Sequence, residues 1–313
     1  MFQKLDVYGI NEVVCDTAVV SSVKTVNCSN GTTAYFLSCF TPDATFVAKV
    51  WDEGAVDVSE GVQSLKGKAV QISGKITSYK DVKEISVLSV RLAEGADADI
   101  SKYLKSVDYE GLSKEYISLL KKHLSQNAFK VVGIFMSDDR GVSFEKFIKW
   151  VAAVGYHDNL IGGLVNHTTK MLRIAEVLIS GDKRLEKWKD LIFMGVAIHD
   201  IGKLLEYTGD GQMSKYWYVG HKAFGIELLS ANKAEIVSLV GEEFYYQLMA
   251  VLDGHHGAFG EPCHTVATCV VHYIDMLDSA VTHLVQEVEK ATDKTIRIDD
   301  AFVDISVPAL LSL

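Results

Sequence analysis

A chain of 313 residues with 48% hydrophobic content and 3 prolines is long enough for two domains with substantial cores, and no low-complexity tract marks it as disordered or fibrous. Its start, Met1-Phe-Gln-Lys-Leu-Asp-Val-Tyr8, has neither the basic segment nor the apolar run of a signal peptide, and nowhere do 18 apolar residues stand together; a soluble cytoplasmic protein with no membrane association is expected. The net charge of −10 excludes a protein that coats nucleic acid through bulk electrostatics, so any polynucleotide has to be held locally.

From Val7 to Leu92 the pattern is short β-rich runs between turn residues: 12–27, 32–40, 45–51, 68–79 and 84–92. Asn30-Gly31 between the first two is a hairpin signal. Five strands in so short a stretch predict a small closed barrel of the OB type over residues 1–94. Phe36, Phe40, Phe46 and Trp51 are its candidate nucleic-acid-binding residues, because aromatics on an open barrel face stack on bases. Strand alternation sends half of such residues into the core instead, and Trp51, at a strand end, is expected inside. The barrel segment is slightly acidic, with nine Lys/Arg against eleven Asp/Glu.

Gly95 to Asp99 forms an acidic, small-residue break, after which the apolar period changes from two to about 3.6. The fold class is therefore multidomain: an all-β OB-like barrel, a helical connector over 95–150, and an all-α domain over 151–313. Gly162-Gly163 precedes a helix carrying His167. Asp190 to Lys203 reads as a buried apolar helix whose last turn, ended by Gly202, delivers His199 and Asp200. A polar loop, Thr208 to Ser214, leads to a helix opened by His221, and Gly254-His255-His256-Gly257 lies in a turn-rich segment. The last long helix carries the stripe Val270, Ile274, Leu277, Val281, Leu284 and Val288, flanked by His272, Asp275 and Ser279 with Asp278 close by. Residues 295–313 suggest no role. The five cysteines, Cys15, Cys28, Cys39, Cys263 and Cys269, are odd in number and lack CxxC spacing, so they read as reduced, buried small hydrophobes.

Taken alone, His199-Asp200 reads more readily as a buried histidine oriented by an aspartate. Together with His167, His221, His255, His256 and Asp275, however, it makes seven polar groups that an apolar bundle cannot leave unpaired, and one shared metal centre resolves them. Two ions sharing Asp200 divide the rest naturally, with His167, His199 and Asp275 on one and His221, His255 and His256 on the other. Mixed imidazole and carboxylate ligation suits divalent Mn, Fe, Co, Ni or Zn better than Mg. A pair of such ions promotes phosphoryl displacement. The expected catalytic residues are Asp200 and Lys203, the latter placed either to neutralise a transferring phosphate or as a solvated helix-end lysine.

His167, His199-Asp200 and Asp275 resemble the four-part signature of the HD phosphohydrolase superfamily, and His221 with His255-His256 extends it to the two-metal branch. The order of parts, a barrel containing Ala48-Lys-Val-Trp-Asp52, then Gly162-Gly-Leu-Val-Asn-His167, His199-Asp-Ile-Gly-Lys203, Gly254-His-His-Gly257 and His272-Tyr-Ile-Asp-Met-Leu-Asp278, resembles the YhaM-type 3′-to-5′ exoribonucleases over nearly the whole chain. The resemblance implies an OB-fold plus an HD domain, one or two divalent ions with manganese foremost, and digestion of single-stranded RNA or DNA from the 3′ end to nucleoside monophosphates. It leaves the oligomeric state open, a homo-oligomer included. Two other functions are weighed beside it. One is an HD-type phosphodiesterase or phosphatase for a small nucleotide or cyclic dinucleotide, disfavoured because Gly260-Glu-Pro262 stands where cyclic-di-GMP phosphodiesterases carry Gly-Tyr-Pro. The other is a non-catalytic single-strand binding protein, disfavoured by the intact ligand set.

Overall fold

Five long strands close into a barrel in the computed structural model, which describes residues 1–28, 31–138, 140–152, 160–208, 212–290, 295–297 and 304–306. The chain divides into two units, Met1–Lys105 and Ser106–Leu313. In the first, β1 (Val13–Asn27), β2 (Thr33–Phe40) and β3 (Thr45–Val50) are followed by a two-residue β4 (Val56–Asp57) and by β5 (Ala69–Tyr79) and β6 (Val82–Leu92). β1 is long enough to serve two partners: Val13 to Val19 pair with β5, and Val19 to Asn27 pair with β2 across an irregularity between Val20 and Ser22. The ring runs β3-β2-β1-β5-β6 and is sealed by a parallel pairing of Ala48 with Ile85 and Lys49 with Ser86. That connectivity is OB-like, as the alternating sequence predicts. Of the expected Asn30-Gly31 turn, Asn30 lies outside the described residues, while Asn27 pairs with Thr33 on either side of it.

Alternation decides which side chains fill the barrel. Leu37, Ala48, Val50, Ile72, Ile76 and Ile85 are fully buried. Phe46, a candidate binding residue in the sequence, is buried among them and meets Phe2 edge-on with ring centroids 5.1 Å apart. Phe40 is half-buried against Val19, Ala69, Ala93 and Tyr103. Trp51 departs from expectation in the other direction: β3 ends at Val50, and Trp51 just beyond it is 50% exposed. The cysteines depart too, since only Cys39 is buried, while Cys15 is exposed and Cys28, Cys263 and Cys269 are half-buried; all five are free.

The second unit is helical: α1 (Tyr109–His123), α2 (Gln126–Phe135), α3 (Phe144–Lys149), α4 (Gly163–Gly181), α5 (Lys189–Ile198), α6 (Lys203–Glu206), α7 (His221–Ala231), α8 (Lys233–Val240), α9 (Glu242–Gly254) and α10 (Val266–Lys290). Side-chain oxygens of Asp108, Ser125 and Ser143 accept from first-turn backbone N–H groups and start α1, α2 and α3. Every residue from Leu191 to Ile198 is buried, as expected for a helix that is apolar all round and packs against α2, α4, α9 and α10. Residues of α1 to α3, including Tyr116, Phe135 and Phe147, share its core. α10 corrects the expected stripe. Its inward face runs through Ala267, Val271, Ile274 and Asp278, and at about 100° per residue this turns Leu277 and Val281 outward, where both are exposed. Among the described residues no helix is long and apolar enough to cross a membrane.

Candidate metal centre

The buried α5 ends at Ile198, and the chain then tightens through turns in which Ile201 N–H donates to Ile198 O and Lys203 N–H to Asp200 O. Consecutive helical residues diverge by about 100°, so this change of winding is what lets His199 and Asp200 face one point. Gly202 contributes by close approach and not by conformation: its φ of −65° suits any residue, but a Cβ there would strike the His221 carbonyl. The absent side chain lets the first turn of α7 lie against the turn and bring His221 in.

The seven expected ligands converge. His167 Nε2 lies 3.3 Å from His199 Nε2 and 3.3 Å from Asp275 Oδ1. His221 Nε2 lies 3.2 Å from His256 Nε2. Asp200 stands between the groups: Oδ2 is 3.2 Å from His199 Nε2 and 3.8 Å from His167 Nε2, whereas Oδ1 is 3.4 Å from His221 Nε2 and 3.8 Å from His255 Nε2. Two sets of potential ligand atoms result, each mutually within 4.8 Å: His167, His199 and Asp275 in one, Asp200, His221, His255 and His256 in the other. Lys203 is no solvated lysine; its Nζ is 2.7 Å from Asp200 Oδ2.

A second layer, only partly visible in the sequence, orients the rings. His167 donates from Nδ1 to Asp278 Oδ2 at 2.7 Å, and Lys170 Nζ holds the other Asp278 oxygen at 3.0 Å. His221 donates from Nδ1 to Glu206 Oε2 at 2.8 Å. His199 and His255 donate from Nδ1 to the carbonyls of Val196 (2.9 Å) and Leu252 (3.0 Å). His272 donates from Nδ1 to His255 O at 2.7 Å, and its ring rests on Gly257, whose φ of +55° and lack of a Cβ the contact requires. Glu206 had no sequence signal beyond being an acid on a short helix, and Asp278 and His272 were visible as polar residues flanking a stripe and as the ends of a motif, with no partner assigned to either.

These donations place the Nδ1 protons, so a ring that is neutral presents its Nε2 lone pair toward the neighbouring ring nitrogens and carboxylate oxygens. Among the described residues, Asp200 Oδ1 and His255 Nε2 are buried without a hydrogen-bond partner. Converging lone pairs and orphaned acceptors are the arrangement that divalent cations resolve, so the residues fit a pair of such ions. The electrostatics agree. Burial keeps His255 well below the usual imidazole range and, with His221, lowers His256 to about 4, so both offer neutral ligands. His167 is the exception: burial opposes its charged form, but the hydrogen bonds to Asp275 and Asp278 outweigh it and raise the ring to about 9, so its Nε2 holds a proton toward Asp275 that a bound cation would displace. Burial alone would raise Asp200; Lys203, His199 and His221 outweigh it and hold the carboxylate ionised.

On the barrel, a smaller constellation surrounds Lys49. Its Nζ is 2.7 Å from Glu84 Oε2 and lies over the rings of Phe36 (4.8 Å), Tyr79 (4.8 Å) and Trp51 (5.9 Å). Phe36 and Trp51 therefore belong to one partly exposed face, to which the structure adds Tyr79, 59% exposed, and from which Phe46 is absent.

No family model matches the chain. It is similar to proteins described as 3′-5′ exoribonuclease YhaM: 28% identical to that of Geobacillus sp. (strain WCH70), with 90% of this chain and 87% of the relative covered, and 26% identical to that of Listeria innocua serovar 6a, with 90% of each covered. The protein of the same description from Listeria monocytogenes serotype 4b (strain CLIP80459) is likewise 26% identical over 90% of each chain. Similarity of this order, recurring in several such proteins over nine-tenths of the chain that brings these ligands together, supports a YhaM-type assignment.

Proposed function

We propose that this protein is a metal-dependent 3′-to-5′ exonuclease that hydrolyses phosphodiester bonds of single-stranded RNA or DNA, RNA foremost, to nucleoside monophosphates. The observation that carries the reading is the position of Asp200, with one oxygen toward His167 and His199 and the other toward His221 and His255. The description of the relatives as 3′-5′ exoribonucleases supports the direction and the substrate. His167, His199 and Asp275 would hold one ion, and His221, His255 and His256 the other, with Asp200 shared. Manganese is the first choice, and Fe, Co, Ni or Zn suit the same donors. When bound, such a pair supplies Lewis-acid activation of water and of the phosphoryl group.

The chain's own residues do the rest. Asp278, Glu206 and the backbone carbonyls of Val196 and Leu252 hold the rings in the tautomer that presents Nε2. Lys203, anchored by Asp200, supplies a fixed positive charge for a nonbridging phosphate oxygen. Residues 1–94 act as the strand-holding barrel, with Phe36 and Trp51 offering ring faces to bases; 95–150 serve as the helical connector and 151–313 as the HD-type domain. Incubation with Mn²⁺ and a 5′-labelled single-stranded RNA tests the function. A ladder shortening from the 3′ end is expected; intact RNA alongside hydrolysis of small nucleotides, or a gel shift alone, would overturn it.

A further inference from the structure

Between the helix that carries Lys203 and Glu206 and the helix that opens with His221, the chain displays Tyr216, Trp217 and Tyr218 to solvent, 49%, 54% and 69% exposed. Residues 213–220 are held by local hydrogen bonds. Met213 bridges to Tyr207, Ser214 N–H donates to Glu206 O at 2.8 Å, and Tyr216 N–H donates to Ser214 Oγ at 3.2 Å. The 3-10 turn Trp217–Val219 is closed by Gly220 N–H donating to Trp217 O, and it packs on both α6 and α7. Both ends of the segment are thus tied to the residue pair Glu206 and His221, which are themselves joined by a 2.8 Å hydrogen bond. Single exposed apolar residues need no explanation, but three consecutive large aromatic side chains exposed on a hydrogen-bonded turn are candidates for an interaction surface.

We infer that Tyr216, Trp217 and Tyr218 form a stacking platform for the terminal nucleobases of a single-stranded polynucleotide whose end lies at the metal centre. The inference rests on the exonuclease reading and adds to it residues of the helical unit that position substrate. Three features favour bases as the occupant. The surface is aromatic, with polar edges in two phenol hydroxyls and an indole N–H, and flat π-faces accept any base. Lys215 lies over the Tyr216 ring at 4.7 Å, adding a cation where a phosphate backbone would run. The turn also packs on α6 and α7, the helices that carry Lys203 and His221, so a strand stacked there lies beside the elements that supply the site.

The test uses the full chain with Mn²⁺, a short fluorescein-labelled oligoadenylate with a hydrolysis-resistant 3′-terminal phosphorothioate linkage for binding, and bis(p-nitrophenyl) phosphate as a diester lacking bases. Trp217→Leu is expected to weaken oligonucleotide binding about tenfold, the loss of one stacked base, while leaving hydrolysis of the base-free diester unchanged. Trp217→Phe, which keeps a ring, is expected to retain most of the affinity, and Tyr218→Leu to behave like Trp217→Leu. Unchanged oligonucleotide affinity in both leucine variants would overturn the platform, as would a loss that the phenylalanine variant shares in full. A drop in molecular mass by light scattering with affinity unaltered would assign the rings to a contact between copies instead. Wild-type protein that degrades RNA while the leucine variants bind normally refutes this inference alone; wild-type protein that neither binds nor degrades single strands refutes the exonuclease reading as well.

Discussion

The Glu206 carboxylate accepts a hydrogen bond from Nδ1 of His221 at 2.8 Å, across fifteen residues of chain that include the exposed aromatic turn. This single bond selects the tautomer that turns Nε2 toward His256 and Asp200. Carboxylates in this position typically contribute 10–100-fold to metal affinity. Glu206→Gln is therefore expected to weaken one of two Mn²⁺ binding steps by at least about tenfold and leave the other near its wild-type value. Calorimetric titration of the metal-stripped protein reads both; equal weakening of the two would contradict separate clusters.

Asp200→Asn is expected to abolish hydrolysis with the helical fold retained by circular dichroism, because Asp200 turns one carboxylate oxygen to each group. Stability of the metal-free protein should fall as well, since the substitution leaves the Lys203 ammonium enclosed without its partner, at a cost of about 3–5 kcal/mol for a broken buried pair. Adding Lys203→Met to Asp200→Asn is expected to recover much of that loss without restoring activity. A double variant no more stable than the single one would show that the pair is not the cause.

Metal removal should be legible in stability alone. Ions that bind only the folded chain add RT ln(1 + [L]/Kd), about 2.7 kcal/mol at a hundredfold excess over Kd. Thermal unfolding in chelator and in Mn²⁺ is expected to differ by several degrees, and the difference should shrink in His199→Ala, which leaves the set Asp200, His221, His255 and His256 intact. Identical curves for wild-type protein in chelator and in excess Mn²⁺, Fe²⁺, Co²⁺, Ni²⁺ or Zn²⁺ would remove the centre.

On the barrel, exposure separates two kinds of aromatic. Phe46→Ala is expected to destabilise the first unit by about 3–5 kcal/mol through lost burial against Phe2. Trp51→Ala and Tyr79→Ala are expected to leave the melting temperature nearly unchanged and to weaken binding of long single strands several-fold. If Trp51→Ala melts like Phe46→Ala, the ring serves the fold and not a ligand.

Gly202→Ala tests the close approach of α7 to the turn after α5. The added methyl meets the His221 carbonyl, which is backbone and cannot swing aside, so the variant is expected to lose the His221 cluster's metal while His167, His199 and Asp275 keep theirs. Retention of full metal stoichiometry would mean that α7 can shift without moving its first residue out of reach.

The strands were legible to within a few residues because alternation over β1, β2 and β5 is a direct record of an inner and an outer face. The ligand set was legible for a different reason: histidines and aspartates embedded in apolar runs are costly unless they share a purpose. Trp51 was misread because alternation carries no information past Val50, where the strand stops. On α10 both Val271 with Ile274 and Leu277 with Val281 have helical spacing, and only the packing against α4, α5 and α9 decides which pair turns inward. Glu206 stayed hidden because its partner lies in the next helix, across a connection whose path no local pattern reveals.

The shared strand β1 also sets a schedule for the nascent chain. Its second half can zip onto β2 as soon as Phe40 has been made, but the first half, Val13 to Val19, waits for Ala69 to Lys75. During that interval a row of backbone donors and acceptors stands open beside Val14 and Ala18, a template for another unfinished copy. A fragment released before residue 69 is expected to form strand-rich aggregates that bind thioflavin, and one extended through Leu92 to remain dispersed. The barrel is therefore most vulnerable not when folded but while β5, the second partner of β1, is still being synthesised.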